Sequence, residues 1–142
     1  HYVLNSTATF DTEPGSVEAR KAWLEERSPR HAVYVAVSGD EVVGWGALSP
    51  YRERPGWRHT AEVAVYLDPA QTGRGIGPLL LGRLVEAARD AQLHVSLSQV
   101  VADNHASLAV TERAGFERVA LLREVGHKFG KWVDLVLLQK RL

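Results

Sequence analysis

The sequence contains no cysteine and no methionine. Without cysteine there can be no disulfide framework, no thiolate nucleophile and no Cys-ligated zinc. An excess of either charge is also lacking: Lys plus Arg and Asp plus Glu each number 17, so the formal net charge is zero. That balance leaves no electrostatic footprint for nucleic acid or for an anionic membrane surface. No apolar run approaches the roughly 20 residues that a bilayer-spanning helix requires. Neither nucleic acid nor membrane is therefore an expected partner. His1 to Phe10 has neither the basic nor the apolar stretch of a secretory signal, which together with the absent cysteines points to the cytoplasm. Because the chain opens at His1 and holds no methionine, residues are expected to be missing ahead of it.

What is present is enough for one continuous core and too little for two, so 1–142 is expected to be a single domain. Ser16 can cap a helix over Val17 to Arg27, with Trp23 and Leu24 as its buried stripe. Ala32 to Val37 reads as a strand, and Ser38-Gly39-Asp40 as a hairpin turn into a second strand, Val42 to Leu48. Gly44 and Gly46 inside that strand suggest a bulge or a close approach by another element. Ser49 to Arg58 is a loop carrying Tyr51, Arg52, Arg54 and Trp57, and a third strand runs from His59 to Leu67. A helix is expected over Pro78 to Ala91, with Pro78 at its first position, where its missing N–H would be unpaired anyway. A strand follows over His94 to Val101, then a helix from the Asn104 cap to Ala114, closed by Gly115. Phe116 to Arg123 and Trp132 to Leu138 are the last strands, separated by the turn-rich Gly126 to Lys131. The order implies an α/β or α+β domain around a mixed sheet.

Between the third strand and the next helix lies Thr72-Gly73-Arg74-Gly75-Ile76-Gly77-Pro78. Glycine tolerates positive φ, so alternate glycines can turn successive N–H groups toward one point at a helix N-terminus. Unpaired amides and the macrodipole make that point suited to a diphosphate. A ligand-free tight turn is the alternative, which three glycines around Arg74 fit poorly. A Walker loop would need Gly-Lys-Ser/Thr. A dinucleotide fingerprint would need Gly-x-Gly-x-x-Gly and an acid about 20 residues on, where Leu97 and Ser98 stand.

The stretch Glu62 to Leu81 resembles the acetyl-CoA motif of the GNAT superfamily of N-acetyltransferases, a strand, a Gln/Arg-x-x-Gly-x-Gly loop and a helix. Thr72 replaces the first Gln or Arg, and Gln71 sits one residue early. Asn104 opening a helix and Ala114-Gly115-Phe116 ending it are also similar. Thr9-Phe10-Asp11, Thr60-Ala61-Glu62, Leu122 to Gly126 and Trp132-Val133-Asp134 resemble the phosphinothricin acetyltransferase branch, so the likeness spans essentially the whole chain. It implies a mixed central sheet flanked by helices, with a first strand and part of a helix, roughly two dozen residues, missing ahead of His1.

The resemblance also implies roles. Acetyl-CoA would be the co-substrate, held by Thr72, Gly73, Arg74, Gly75, Ile76, Gly77, Pro78 and Asn104. Backbone groups of Val65, Tyr66 and Leu67 would serve the pantetheine and thioester. Glu62 would deprotonate the amine, directly or through water, since an ammonium has no lone pair. Many superfamily members carry a tyrosine acid where this chain has Thr111, so that role is unassigned. The acceptor would be the primary amine of an amino acid or amino-acid analogue, of the phosphinothricin or methionine-sulfone kind, with Tyr51, Arg52, Trp57 and Arg123 as candidate contacts; Arg58 is a further candidate. Phe129 stands where the phosphinothricin enzymes carry His, which argues for a different or broader acceptor. Protein or other amine acetylation, or acyl-CoA binding without turnover, are the alternatives. Trp23 and Trp132 are expected in the core. The branch implies a homodimer. His59 lies near Glu62, but no second His or carboxylate completes a ligand pattern, so no metal is expected.

Overall fold

The computed structural model describes residues 1–142. Its elements are helices α1 (Tyr2–Asn5), α2 (Val17–Glu25), α3 (Ile76–Asp90) and α4 (His105–Arg113), with strands β1 (Val33–Ser38), β2 (Glu41–Pro50), β3 (Thr60–Leu67), β4 (Val95–Val101), β5 (Glu117–Lys128) and β6 (Lys131–Arg141). Short 3-10 turns at Pro55–Trp57 and Pro69–Gln71 close the loops on either side of β3. The strands form one six-stranded sheet in the order β1-β2-β3-β4-β6-β5. All neighbours are antiparallel except β3 and β4, which are parallel and joined through α3. A crossover of this kind needs an intervening element long enough to return the chain to the same end of the sheet.

Strand alternation divides the sheet into two faces. Leu48, Val63, Val100, Val136 and Leu138 point to one face, where Leu81, Leu84, Val85 and Ala88 of α3, Leu108 of α4 and Phe116 complete a single core. The close approach expected at Gly44 and Gly46 is present: a Cβ on Gly46 would stand 2.7 Å from Leu84 Cδ1, and one on Gly44 2.5 Å from Leu67 Cδ2. The ladder irregularity adjoins Gly44, between Ala36 and Val37 of β1, which face Gly44 and Val42, while Gly46 stays in regular register with Tyr34.

Four expectations are corrected. Leu24 is not buried; it is 48% exposed. Helix α2 is held by Trp23, edge-on to Trp45 at 6.1 Å, and by Arg27, whose guanidinium stacks 4.1 Å from the Trp23 centroid and donates to the carbonyls of Leu48 and His31. Trp132 is not core either, being 66% exposed at the β5–β6 hairpin with His127 beside it. The turn there is two residues, Phe129 and Gly130, at φ 51° and 71°, with Lys128 paired to Lys131. Two central residues at positive φ match the twist of a tight hairpin, so Gly126 to Lys128 belong to β5 and not to a loop. Pro78 is the third helical residue, because α3 starts at Ile76 behind an N-cap at Gly75; it still falls in the turn whose amides have no helical partner.

Leu84 is fully buried where α3 meets β2. Leu84→Ala should lower unfolding free energy by about 2–5 kcal/mol, the range for a core leucine truncation, read as a lower urea midpoint at unchanged slope.

Candidate active site

Strand β3 leaves its parallel neighbour early. Only Thr60, Ala61 and Glu62 pair with β4, against Val95, Ser96 and Leu97, while β3 runs on to Leu67 and β4 to Val101. On its other side β3 pairs with β2 throughout, the Tyr51 amide donating to Thr60 O (3.3 Å) and the Asp68 amide to Val43 O (2.8 Å). Backbone groups alternate sides along a strand, so even-numbered residues face β2 and odd-numbered ones face β4. Val65 and Leu67 thus turn N–H and C=O into the gap between the parted strands, and Val63 its C=O, while the Tyr66 backbone is engaged with β2.

The glycine loop stands at the open end of that gap. Gly73 and Gly75 have φ of 76° and 80°, values that other residues adopt at a cost. Gly77 is different: it lies within α3, buried, with Leu67 Cδ1 3.5 Å from where its Cβ would be. The amides of Gly73, Arg74, Gly75, Ile76 and Gly77 donate to no group of the chain. Five adjacent residues with free amides at the start of a 15-residue helix make a site for the oxygens of a phosphate chain. Arg74 is steadied by Gln71, whose Oε1 accepts from it at 2.6 Å, and the Thr72 hydroxyl donates to Pro69 O at 2.9 Å. Asn104 caps α4, its Oδ1 accepting from the Ser107 amide at 3.2 Å, which leaves its amide NH2 for another partner.

Glu62 lies on the face opposite the core, at the last paired position before the strands part. It is half-buried, and burial raises its pKa above the ordinary carboxylate value, a hydrogen bond from Gln99 of β4 pulling it partly back. Tyr66 occupies the same face two alternations on. Its ring stacks on Trp45, its registered neighbour, at 5.1 Å and lies 5.9 Å from Tyr2. Burial is also what raises the Tyr66 pKa most; a Thr9 hydrogen bond opposes it, the Asp11 and Glu62 charges add to it, and Arg20 counters them. The side chains of Tyr66, Tyr2, Trp45, Thr9 and Gln99 were not singled out in the sequence. Alternation puts Gln99 on the same face of β4 as Leu97, but its nearness to Glu62 follows from the β3–β4 register; the N-terminal contacts are long-range and carry no local signal.

Of the expected acceptor residues, Tyr51, Arg52 and Trp57 converge with Glu53 and Arg54 around an open cleft of about 620 Å³. Tyr51 and Trp57 meet edge-to-face at 5.2 Å, and Arg52 lies 5.1 Å from the Tyr51 ring centroid. Arg58 is turned away, its Nε donating to His59 Nε2 at 3.0 Å. Arg123 is exposed on β5, three strand positions across the sheet from Glu62, roughly 14 Å at ~4.8 Å per strand. It is further off along the strand, since the β5 residue in register with Glu62 through Leu97 and Gln139 is Glu117. Thr111 is buried, and its hydroxyl donates to Ser107 O at 2.8 Å, so it has no proton to offer a leaving group. No group of three His, Asp or Glu side chains is arranged to hold a metal ion.

Residues 2–116 match the acetyltransferase (GNAT) family. A phosphinothricin N-acetyltransferase of Streptomyces coelicolor is 37% identical, over 100% of this chain and 85% of that protein. Among solved structures, a ribosomal-protein-alanine N-acetyltransferase of Brucella melitensis superposes with a TM-score of 0.95 at 39% identity, over 99% of this chain and 88% of that one. The yncA protein of Salmonella typhimurium, with acetyl-CoA as its cofactor, superposes with a TM-score of 0.96 at 34% identity, over 100% of this chain and 83% of that one.

Two outcomes follow from this geometry. Gly75→Val places a β-branched residue at φ 80° in open space, so it should abolish acetyl-CoA binding by calorimetry while the circular dichroism spectrum stays that of the parent. Glu62 has a raised folded-state pKa, so the folded state binds more protons than the unfolded one between the two values, and stability falls as pH rises through that window. Glu62→Gln should therefore be more resistant to urea than the parent at neutral pH, and the gain should vanish below the ordinary carboxylate pKa.

Proposed function

The chain belongs to the acetyltransferase (GNAT) family and is an acetyl-CoA-dependent N-acetyltransferase, and on that premise we propose that it acetylates the primary amine of a small amino acid or amino-acid analogue. The observation that carries the reading is Glu62, half-buried with a raised pKa at the point where β3 parts from β4. A base is most effective when its pKa approaches the working pH, and burial moves this carboxylate in that direction.

In this reading the glycine-loop amides and Arg74 hold the diphosphate. The exposed edge of β3 at Val65 and Leu67 lines the pantetheine arm, with an N–H donor facing the thioester oxygen as it gains charge. Glu62 accepts the ammonium proton, directly or through one water, and the freed amine lone pair attacks the carbonyl carbon. Collapse of the adduct breaks the carbon–sulfur bond and expels the CoA thiolate, which takes up the proton that the acylated nitrogen sheds. The loop cleft lies where β2 leaves the sheet beside Thr60, and Arg52 and Arg54 supply forked donors for a carboxylate or phosphinate. A second reading, acetylation of a protein alanine, is favoured by the likeness to the Brucella ribosomal-protein-alanine N-acetyltransferase; the open cleft of the Tyr51–Trp57 loop would admit a peptide.

A thiol-release assay with purified chain should give turnover with free amino acids or phosphinothricin and none with an alanine-headed peptide; the reverse pattern establishes the second reading. On the best acceptor, Glu62→Gln should lower kcat by roughly 10²–10⁴-fold, as for loss of a positioned base. The parent's rate should fall on the acid side above the usual carboxylate range, and the variant should follow the amine's own ionisation instead.

The same reading includes a homodimer in the cytoplasm. Support comes from β5, an edge strand that exposes Val119, Leu121 and Val125 by about half each, an apolar edge that isolated proteins avoid. Tyr51 and Trp57 support it less, since they cover one another. Sedimentation at tens of micromolar should show a dimer, which Leu121→Lys should shift to monomer.

A further inference from the structure

Lys128 is 4% exposed near the end of β5, and no carboxylate pairs with it. Its Nζ donates to Thr9 O at 2.7 Å and Tyr2 O at 3.3 Å. Burying an amine against two backbone carbonyls is an expensive way to hold a chain in place, and at a hairpin a hydrophobic residue would serve packing as well. The segment it holds matters for what it reaches. Tyr2 packs on the Tyr66 ring, the centroids 5.9 Å apart, and Thr9 and Asp11 both bear on the proton affinity of the Tyr66 hydroxyl. A second grip comes from Gly126, where a Cβ would stand 2.4 Å from the Phe10 ring. The β5–β6 hairpin thus grasps the segment at Tyr2, Thr9 and Phe10, and the Tyr2 side chain of that segment meets Tyr66 on the face that carries Glu62.

We propose that Lys128 is a positioning residue for acceptor binding: with Gly126 it clamps residues 2–11 over the sheet, and that segment forms a wall of the acceptor site beside Tyr66 and Glu62. The inference rests on the reading that the Glu62 face receives the amine. It assigns Lys128 no contact with the acceptor and no part in the chemistry. It also gives the hairpin, two and three strand positions from β3, a path to the site made of named contacts: Lys128 to Tyr2, Tyr2 to Tyr66.

The experiment compares Lys128→Met, which keeps the aliphatic stem and removes the donors, with Lys128→Arg and Gly126→Ala. Hydrogen exchange read by mass spectrometry should show residues 2–11 exchanging faster in Lys128→Met, with α3 and β6 unchanged. The acceptor KM should rise on the order of tenfold, with kcat and the acetyl-CoA KM within about threefold, the signature of lost ground-state binding. Lys128→Arg should restore most of the affinity. Gly126→Ala, which only displaces the end of the Phe10 side chain, should reproduce the selective rise in KM. Unchanged exchange in Lys128→Met overturns the clamp. Faster exchange with an unchanged acceptor KM overturns the wall, and so does a uniform loss of kcat and both KM values in parallel with thermal stability in both variants. If the parent acetylates no small amine, the proposed function falls and with it the acceptor wall, while the exchange data still decide the clamp.

Discussion

The structure depends on an incomplete strand pairing. Three parallel residue pairs join β3 to β4, and beyond them the sheet is open. Open backbone within a sheet is costly unless its N–H and C=O groups find other partners, so the gap persists only because something else keeps the two halves of the sheet in place. That is the helical layer. Leu48, Ala61 and Val63 from one half and Val100, Val136 and Leu138 from the other contact one core built on Leu81, Leu84, Val85 and Ala88 of α3 with Leu108 and Phe116. The apolar helix faces bridge what the hydrogen bonds do not.

The same helix explains why the glycine loop is where it is. α3 must begin at the C-terminal end of β3 to cross back to β4, so its unpaired first-turn amides necessarily sit at the mouth of the gap. Gly73 and Gly75 orient the entering amides at positive φ, whereas a Cβ on Gly77 would meet Leu67 Cδ1 at an ordinary contact distance of 3.5 Å. Two of the three glycines are required by conformation and the third is not, a division that spacing alone does not reveal.

This difference marks how much was legible in advance. Features set by local chemistry could be read: the Ser16 and Asn104 caps, the Ser38–Glu41 hairpin, the position of Glu62 just ahead of the loop. Features set by distant contacts could not. A nine-residue helix offers too few turns to tell Trp23 from Leu24 as the buried side chain, and the choice was made by Trp45 and Arg27. The turn-rich look of Gly126 to Lys131 hid a continuing strand, because the irregularity lies earlier, at Glu124 (φ 53°), whose amide donates to Asp134 Oδ1 at 2.8 Å. One side chain eight residues beyond the apparent loop's start fixes the strand that precedes it. The N-terminal segment was opaque for the same reason: its partners Tyr66, Gly126 and Lys128 are more than fifty residues away.

Three polar side chains sit where a stability-driven sequence would place apolar ones: Glu62 raised by burial, Tyr66 raised by burial, and Lys128 buried without a carboxylate. Natural sequences break local rules mainly where function requires it. All three lie on or reach the sheet face away from the core, and none belongs to the cluster that holds the halves together. The fold separates the two demands by face. Helices α3 and α4 stabilise one side with leucine, valine and alanine, and the other side is free to carry Glu62 and Tyr66, whose burial raises their pKa, together with the buried amine of Lys128. A sheet closed by full β3–β4 pairing would be more stable, but Glu62 would then stand beside a continuous ladder, with no backbone donors turned toward a thioester and no opening through which an amine could meet it.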